Sequence, residues 1–177
     1  LLNIQKKDLY PYIYPNLEEI NKAKITSIFL GSFIPWNGLN NAILSQAYGL
    51  KTYGKSVEGS IVDYENLDNH QNGIHDYFKY LKFGFSRTSD ILSTLIRREI
   101  IDRDTALDLL KRNERECFPS FHLGKSLDDI LSPLNMDKEE FIKIADMHTN
   151  PEIFSYGIDG NLIKLKDGTP KLSEEFL

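Results

Sequence analysis

Few runs in this chain read as strand, and the clearest of them, ITSIFL at residues 25–30, has no evident partner. Its β-branched and aromatic content suits a strand buried on both faces, and Gly31 ends it. A short buried helix is the other reading, disfavoured because Gly31 and Pro35 follow at once. The loop GSFIPW leads into NGLNNAILSQAYGL, where Asn37 is placed to cap a helix. Leu39, Ala42, Ile43, Gln46 and Ala47 then recur at helical spacing, and Gly49 stands at the C-terminal end. Strand, loop and helix make half of a βαβ unit, and a parallel strand needs neighbours on both sides. Those neighbours are expected in a longer protein of which these residues are a fragment. The lack of an initiating Met fits that expectation, and the opening LLNIQKKDLYPYIYP suits an extended connector.

The remainder is mostly helical by pattern. Asn16 caps LEEINKAK, with Glu18 and Glu19 in the first turn where the helix dipole favours them. Residues 51–72 are loop-like. Helices resume over residues 74–83 and run on to about Arg98, with Ile91, Leu92, Leu95 and Ile96 on an apolar face. Gly84 either breaks that run in two or lets a neighbour approach closely. Asp102 caps RDTALDLLKR, and Ser126 with Asp129 and Asp137 with Glu140 have capping-box spacing ahead of two further helices. Past Asn150, the pairs Asp159-Gly160 and Asp167-Gly168 bracket an alternating LIKLK, the pattern of a short hairpin or tail strand. The expected organisation is residues 1–50 as the end of an α/β domain, 51–150 as a helical domain, and 151–177 as a tail or hairpin.

Charge narrows the function classes. With 26 acidic against 21 basic residues the net charge is -5, which disfavours nucleic acid as the main partner. The longest apolar run, near residues 25–33, is too short and too interrupted to span a membrane. The single Cys117 cannot form an internal disulfide, which suits a reducing cytoplasm. Its setting before Phe118-Pro119 favours a packed side chain over a reactive one. His70, His75, His122 and His148 lack metal-ligand spacing, so polar or partly buried roles are expected and no metal site is assigned. Neither a Walker pattern nor a dinucleotide fingerprint is present.

The segment from Leu67 to Arg97 stands out. It sets His75, Lys79, Lys82, Arg87 and Arg97 among Tyr77, Phe78, Leu81, Phe83, Leu92 and Leu95, more cations than a core-facing helix needs. Around Lys82, Arg87 and Asp90, the small residues Gly84, Ser86 and Ser89 leave space for an anionic ligand. Arg87 and Asp90, one helical turn apart, could equally be a structural pair. Arg97, Arg98, Arg103, Lys111, Arg112 and Arg115 are expected to pair with Asp102, Asp104, Asp108, Glu114 and Glu116 on a solvated face.

Together FLGSFIPW, VEGS, the run from YENLDNHQNGIHDYF through ALDLLKR, and DKEEFIKIAD resemble the C-terminal part of the N-acetyl sugar amidotransferases. These are PP-loop ATP pyrophosphatase-type enzymes of bacterial surface-polysaccharide and nonulosonic-acid biosynthesis. The resemblance implies a mostly helical α/β fragment, the last strand and helix of a PP-loop sheet followed by a small helical domain. It also implies ATP and Mg²⁺, bound mainly outside this chain. The activity it implies converts the N-acetyl group of a nucleotide-linked sugar to an acetamidino group, with ammonia from glutaminase and cyclase-like subunits. On this likeness Lys82, Arg87, Asp90 and Arg97 become substrate-side positions, the cations for phosphate, and Glu58, Asp68 and His75 contacts for sugar hydroxyl or amide groups. The family commonly has an Asp-Gly pair where this chain has Asn72-Gly73, and a glycine near Arg98-Glu99. A non-catalytic helical module docking the ammonia supplier, or part of another PP-loop enzyme, is the alternative.

Overall fold

The computed structural model describes residues 4–113 and 118–176. Cys117, Glu114, Arg115 and Glu116 lie outside the described residues. The fold has two units, one ending at Ser45 and the other beginning at Gln46.

In the first unit, Lys6–Leu9 form a short helix α1 and Tyr10–Tyr12 a 3₁₀ turn, so the expected extended connector is partly coiled. Pro11 occupies an early position of that turn, where its missing N–H costs nothing. Helix α2 (Leu17–Ala23) opens on the Asn16–Glu19 capping box and ends at Lys24 with φ +54°. Helix α3 (Gly38–Ala47) follows, with the Asn37 side chain accepting from the Asn40 N–H at 2.6 Å. The expected strand at residues 25–30 is absent. Residues 25–29 are irregular and a 3₁₀ turn begins at Leu30. Ile25, Ile28 and Phe29 are exposed. An isolated run of strand-forming residues has no ladder to join, and without one its propensity decides nothing.

The second unit is built around helix α4 (Asn72–Phe83). Its buried face carries Tyr77, Tyr80 and Leu81, which meet Leu127 and Leu131 of α7 (Leu127–Leu131), Phe141 and Ala145 of α8 (Lys138–Met147), and Phe154. The rings interlock edge to face, Tyr77 with Phe118 at 5.4 Å and Tyr80 with Phe154 at 5.2 Å between centroids. Each such pair adds about 0.5–1.5 kcal/mol to the burial of its area. Helix α5 (Arg87–Arg97) packs on α6 (Arg103–Asn113), and between α6 and α7 lies a two-stranded antiparallel ladder, β1 (Phe121–His122) with β2 (Lys125–Ser126). That ladder, two residues per strand, is too short to leave a period in the sequence.

Gly84 separates α4 from α5. At φ +76° it ends α4 in the left-handed region, and a Cβ there would lie 2.8 Å from Ile153 Cγ2. Break and close approach therefore coincide, the approaching group being the C-terminal segment rather than a helix. Asn150 completes this helix end, its N–H donating to the Leu81 carbonyl at 2.9 Å and its side-chain amide to the Lys82 carbonyl at 3.3 Å. Glu99, just past the end of α5, has φ +57°, the left-handed conformation a glycine adopts without cost.

The C-terminal segment turns at Asp159-Gly160 and Asp167-Gly168, with antiparallel bridges Tyr156–Leu162 and Lys164–Pro170. Three backbone bonds close a ring: Ile163 N–H donates to Ser155, Lys171 N–H to Ile163 and Ser155 N–H to Lys171, each at 2.9 Å. Tyr80 ties the ring to α4 by donating its hydroxyl to the Pro170 carbonyl at 3.1 Å.

Gly84→Ala is expected to lower the unfolding free energy by about 1–3 kcal/mol through left-handed strain and overpacking. Leu81→Ala is expected to cost about 2–5 kcal/mol. Urea denaturation followed by circular dichroism reads both.

Candidate functional site

The seven positions singled out by sequence fall in separate places around α4. Glu58 and Arg87 share a cleft with Asp76, beside Gly73 and Ser86. Lys82, Asp90 and His75 line a groove with Lys79 and three phenylalanines. Asp68 is exposed and accepts from the Asn72 side chain at 3.2 Å, one helical turn away. Arg97 is exposed at the far end of α5, donating to Thr94 Oγ1 at 3.2 Å. Arg87 and Arg97 lie about 15 Å apart along the helix axis, and they do not converge, because Arg87 turns to Asp76 and Arg97 to Thr94.

The cleft is organised by Asn66, a residue in left-handed conformation at φ +58°. Its side chain accepts from Arg87 Nη2 at 3.1 Å and donates to Asp76 Oδ2 at 3.1 Å. The Asn66 carbonyl accepts from His122 Nε2 at 3.3 Å, which places the imidazole hydrogen on that nitrogen. Arg87 Nε lies 3.4 Å from Asp76 Oδ2 but outside hydrogen-bonding direction, so this contact is coulombic. The Arg87–Asp90 structural pair that the spacing allows does not form. Arg87 turns back to α4, and Asp90 takes Lys79 instead. One turn of helix makes such a pair possible, but a better-placed partner on another element wins.

His122 is fully buried, and His70 donates from Nδ1 to the His122 carbonyl at 3.1 Å. The pair pins the loop before α4 to β1. A Cβ on Gly73 would lie 3.2 Å from His122 Nδ1, so the Asn72-Gly73 step brings backbone against the imidazole.

Glu58 anchors the other wall. Partial burial alone would push its carboxyl up, yet the backbone N–H groups of Glu58 itself and Leu123, with Lys55, hold it below the usual value of 4.5. The Leu123 N–H reaches Oε2 at 3.0 Å, and Lys55 and Tyr53 each lie 3.4 Å from Oε1.

In the groove, Lys79 bridges Asp90 and the face of Phe85, its Nζ 4.6 Å from the ring centroid. Phe83 and Phe85 lie 6.0 Å apart at 33°. Lys82, exposed, has no ion-pair partner among the described residues. Asp76 and Asn66 were missing from the residues singled out by sequence, and Lys79, named there among the cations of the segment, was not given a substrate role. Lys79 sits one turn from both His75 and Lys82, a spacing that could have given it one. Asn66 lies in a loop and carried no signal.

The ion pairs expected for Arg97, Arg98, Arg103, Lys111 and Arg112 do not form within 4 Å among the described residues. Asp102 instead caps α6, accepting from the Thr105 N–H at 2.7 Å. Among the described residues no three His, Cys, Asp or Glu side chains are grouped to hold a metal, and no helix is long and apolar enough to cross a membrane.

Residues 53–165 match the family described as LPS biosynthesis protein WbpG-like, C-terminal domain. The chain belongs to that family of lipopolysaccharide biosynthesis proteins, a setting that points to an enzymatic role. No curated protein matches it. The matched range holds the cleft, the groove and six of the seven positions on or beside α4, and Arg97 at the end of α5 as well.

Asp76→Asn is expected to cost about 1–3 kcal/mol, because it leaves the half-buried Arg87 guanidinium without its compensating charge. For Glu58, a depressed carboxyl stabilises the fold above its unfolded value and loses that contribution as pH falls through the folded one. Glu58→Gln should therefore lower the urea midpoint at pH 7, with the gap from wild type closing as the solution is acidified below 4.5.

Proposed function

We infer that this chain is the substrate-side portion of an ATP-dependent amidotransferase that converts the N-acetyl group of a nucleotide-linked sugar to an acetamidino group. The observation that carries this reading is the family match over residues 53–165, which spans the same α4–α5 segment that resembles the N-acetyl sugar amidotransferases. An unactivated amide oxygen is a poor leaving group, so replacing it by nitrogen requires activation, which ATP supplies. The residues described here do not fit an ATP–Mg²⁺ site: no metal cluster is grouped among them and the sequence has no glycine-rich phosphate loop. ATP and Mg²⁺ are accordingly assigned to a PP-loop part outside these residues, in the cytoplasm where ATP is available.

This chain's own contribution is binding and orientation. Helices α4 and α5 present His75, Lys82 and Asp90 to the groove, while Arg87 of α5 and Glu58 of the loop before α4 line the cleft. Carboxylates accept hydroxyl and amide donors of a sugar, and lysine or arginine donors suit its diphosphate. Ammonia is assigned to glutaminase and cyclase-like subunits. The exposed apolar residues of the first unit, Tyr12 and Phe29 among them, support a role for that unit in joining a larger body. The same observation supports the second reading, a module that docks the ammonia supplier without taking part in substrate binding.

Oxygen tracing tests the amidation reading. The protein together with its ATP-binding part, ATP, Mg²⁺ and ammonium is given a UDP-N-acetyl sugar labelled with heavy oxygen in the acetamido group. Heavy oxygen is expected in AMP, with pyrophosphate released. Label kept in the sugar would overturn the amidation reading, whereas label in phosphate with ADP released would replace adenylation by phosphorylation.

A further inference from the structure

The openings around α4 differ in size and in sign of charge, and that difference locates the diphosphate. The cleft at Arg87 has a volume of about 30 Å³, room for one water rather than a ligand group. Its single cation is already matched by Asp76 and Asn66, and the Glu58 carboxylate stands beside it. A diphosphate there would face the Asp76 and Glu58 carboxylates with only one lining cation, itself already engaged. The adjoining opening at Asp167 is larger, about 280 Å³, but Glu58 and Asp167 both line it and no cation does.

The groove on the other side of α4 measures about 450 Å³, within the range of small-molecule sites. Lys79 and Lys82 are three apart and project from neighbouring positions on one helix. Asp90 compensates Lys79, so Lys82 leaves this groove with a net positive charge. Phe83 is 59% exposed and Phe85 40%. These two rings offer open aromatic surface beside the lysines on which a base can stack. The site is also stiff: Asn150 holds the Leu81 and Lys82 carbonyls, and Asp90 and the Phe85 ring hold Lys79.

We propose that the groove lined by Lys79, Lys82, Phe83 and Phe85 seats the nucleoside diphosphate of the substrate, with phosphate oxygens accepting from the two lysines and the base lying against the phenylalanines. The choice of ligand rests on the nucleotide-sugar reading, and the groove keeps Lys82 as a phosphate contact, adds Lys79 and leaves out Arg87 and Arg97. Asp90 is a positioning residue that holds the Lys79 ammonium. A phenylalanine face stacks any base, so the groove fixes the diphosphate and reads the base only weakly.

The test is calorimetric titration of the protein with UDP. Lys82→Glu is expected to weaken binding at least about tenfold, through loss and reversal of a phosphate partner. Phe85→Ala is expected to weaken it roughly tenfold through lost stacking. Wild-type binding should weaken with added salt. Both altered residues are solvent-facing, and in the unaltered protein the Phe83 and Phe85 ring resonances should shift on adding UDP, which tests the site without substitution. Unchanged affinity in both variants, a loss confined to Arg97→Gln, or no UDP binding by the wild type overturns the proposal. Oxygen tracing on the same preparations keeps the two readings apart. Label transfer with UDP binding indifferent to both substitutions removes the groove and leaves amidation standing. UDP held by the groove without label transfer removes amidation and leaves the groove standing.

Discussion

Burial of one face of α4 is the constraint on which the second unit depends. Tyr77, Tyr80 and Leu81 must be covered, and α7, α8 and the C-terminal segment cover them. Covering that face fixes the helix about its axis, and the remaining positions have no choice of direction. His75, Lys79 and Lys82 then open onto the groove, while Gly73 and Asp76 face the cleft. Packing and ligand chemistry are thus two sides of the same twelve-residue helix. The excess of cations is explained by the sides that packing does not use.

Polar groups lock what apolar burial positions. Asn66 joins Arg87, Asp76 and His122, which belong to α5, α4 and β1, so one loop residue in a left-handed conformation sets three elements in register. Leu123 and Glu58 repeat the device a few residues away. Buried polar groups are costly when unmatched, so each of these bonds disfavours alternative placements of the loop over residues 51–71.

Local chemistry was legible in the sequence and long-range partnership was not. Asn16, Asn37, Asp102, Ser126 and Asp137 all cap the helices their spacing announces, because a cap is a contact between residues three apart. Gly84 was legible as a break, but Ile153 as the reason for its tightness was not. Residues 25–30 read as strand on propensity and are irregular, since a strand exists only with a neighbour. Within the candidate site, Lys82 and Asp90 were found by composition, whereas the partner of Arg87 proved to be Asp76, eleven residues back on another helix. The family match is consistent with the resemblance in the α4–α5 segment and says nothing of which side chain meets which.

The ring formed by Ser155, Ile163 and Lys171 bears on where this domain ends. Likeness to the family stops at residue 165, after the second member of the ring and before the third. The third supplies the carbonyl that holds Ser155 and the N–H that holds Ile163, and the neighbouring Pro170 carbonyl receives Tyr80. A boundary drawn by similarity therefore cuts through a cooperative unit, and the physical domain is longer than the family's signature. Ending this chain at residue 165 would remove the third member of the ring and the carbonyl that receives Tyr80.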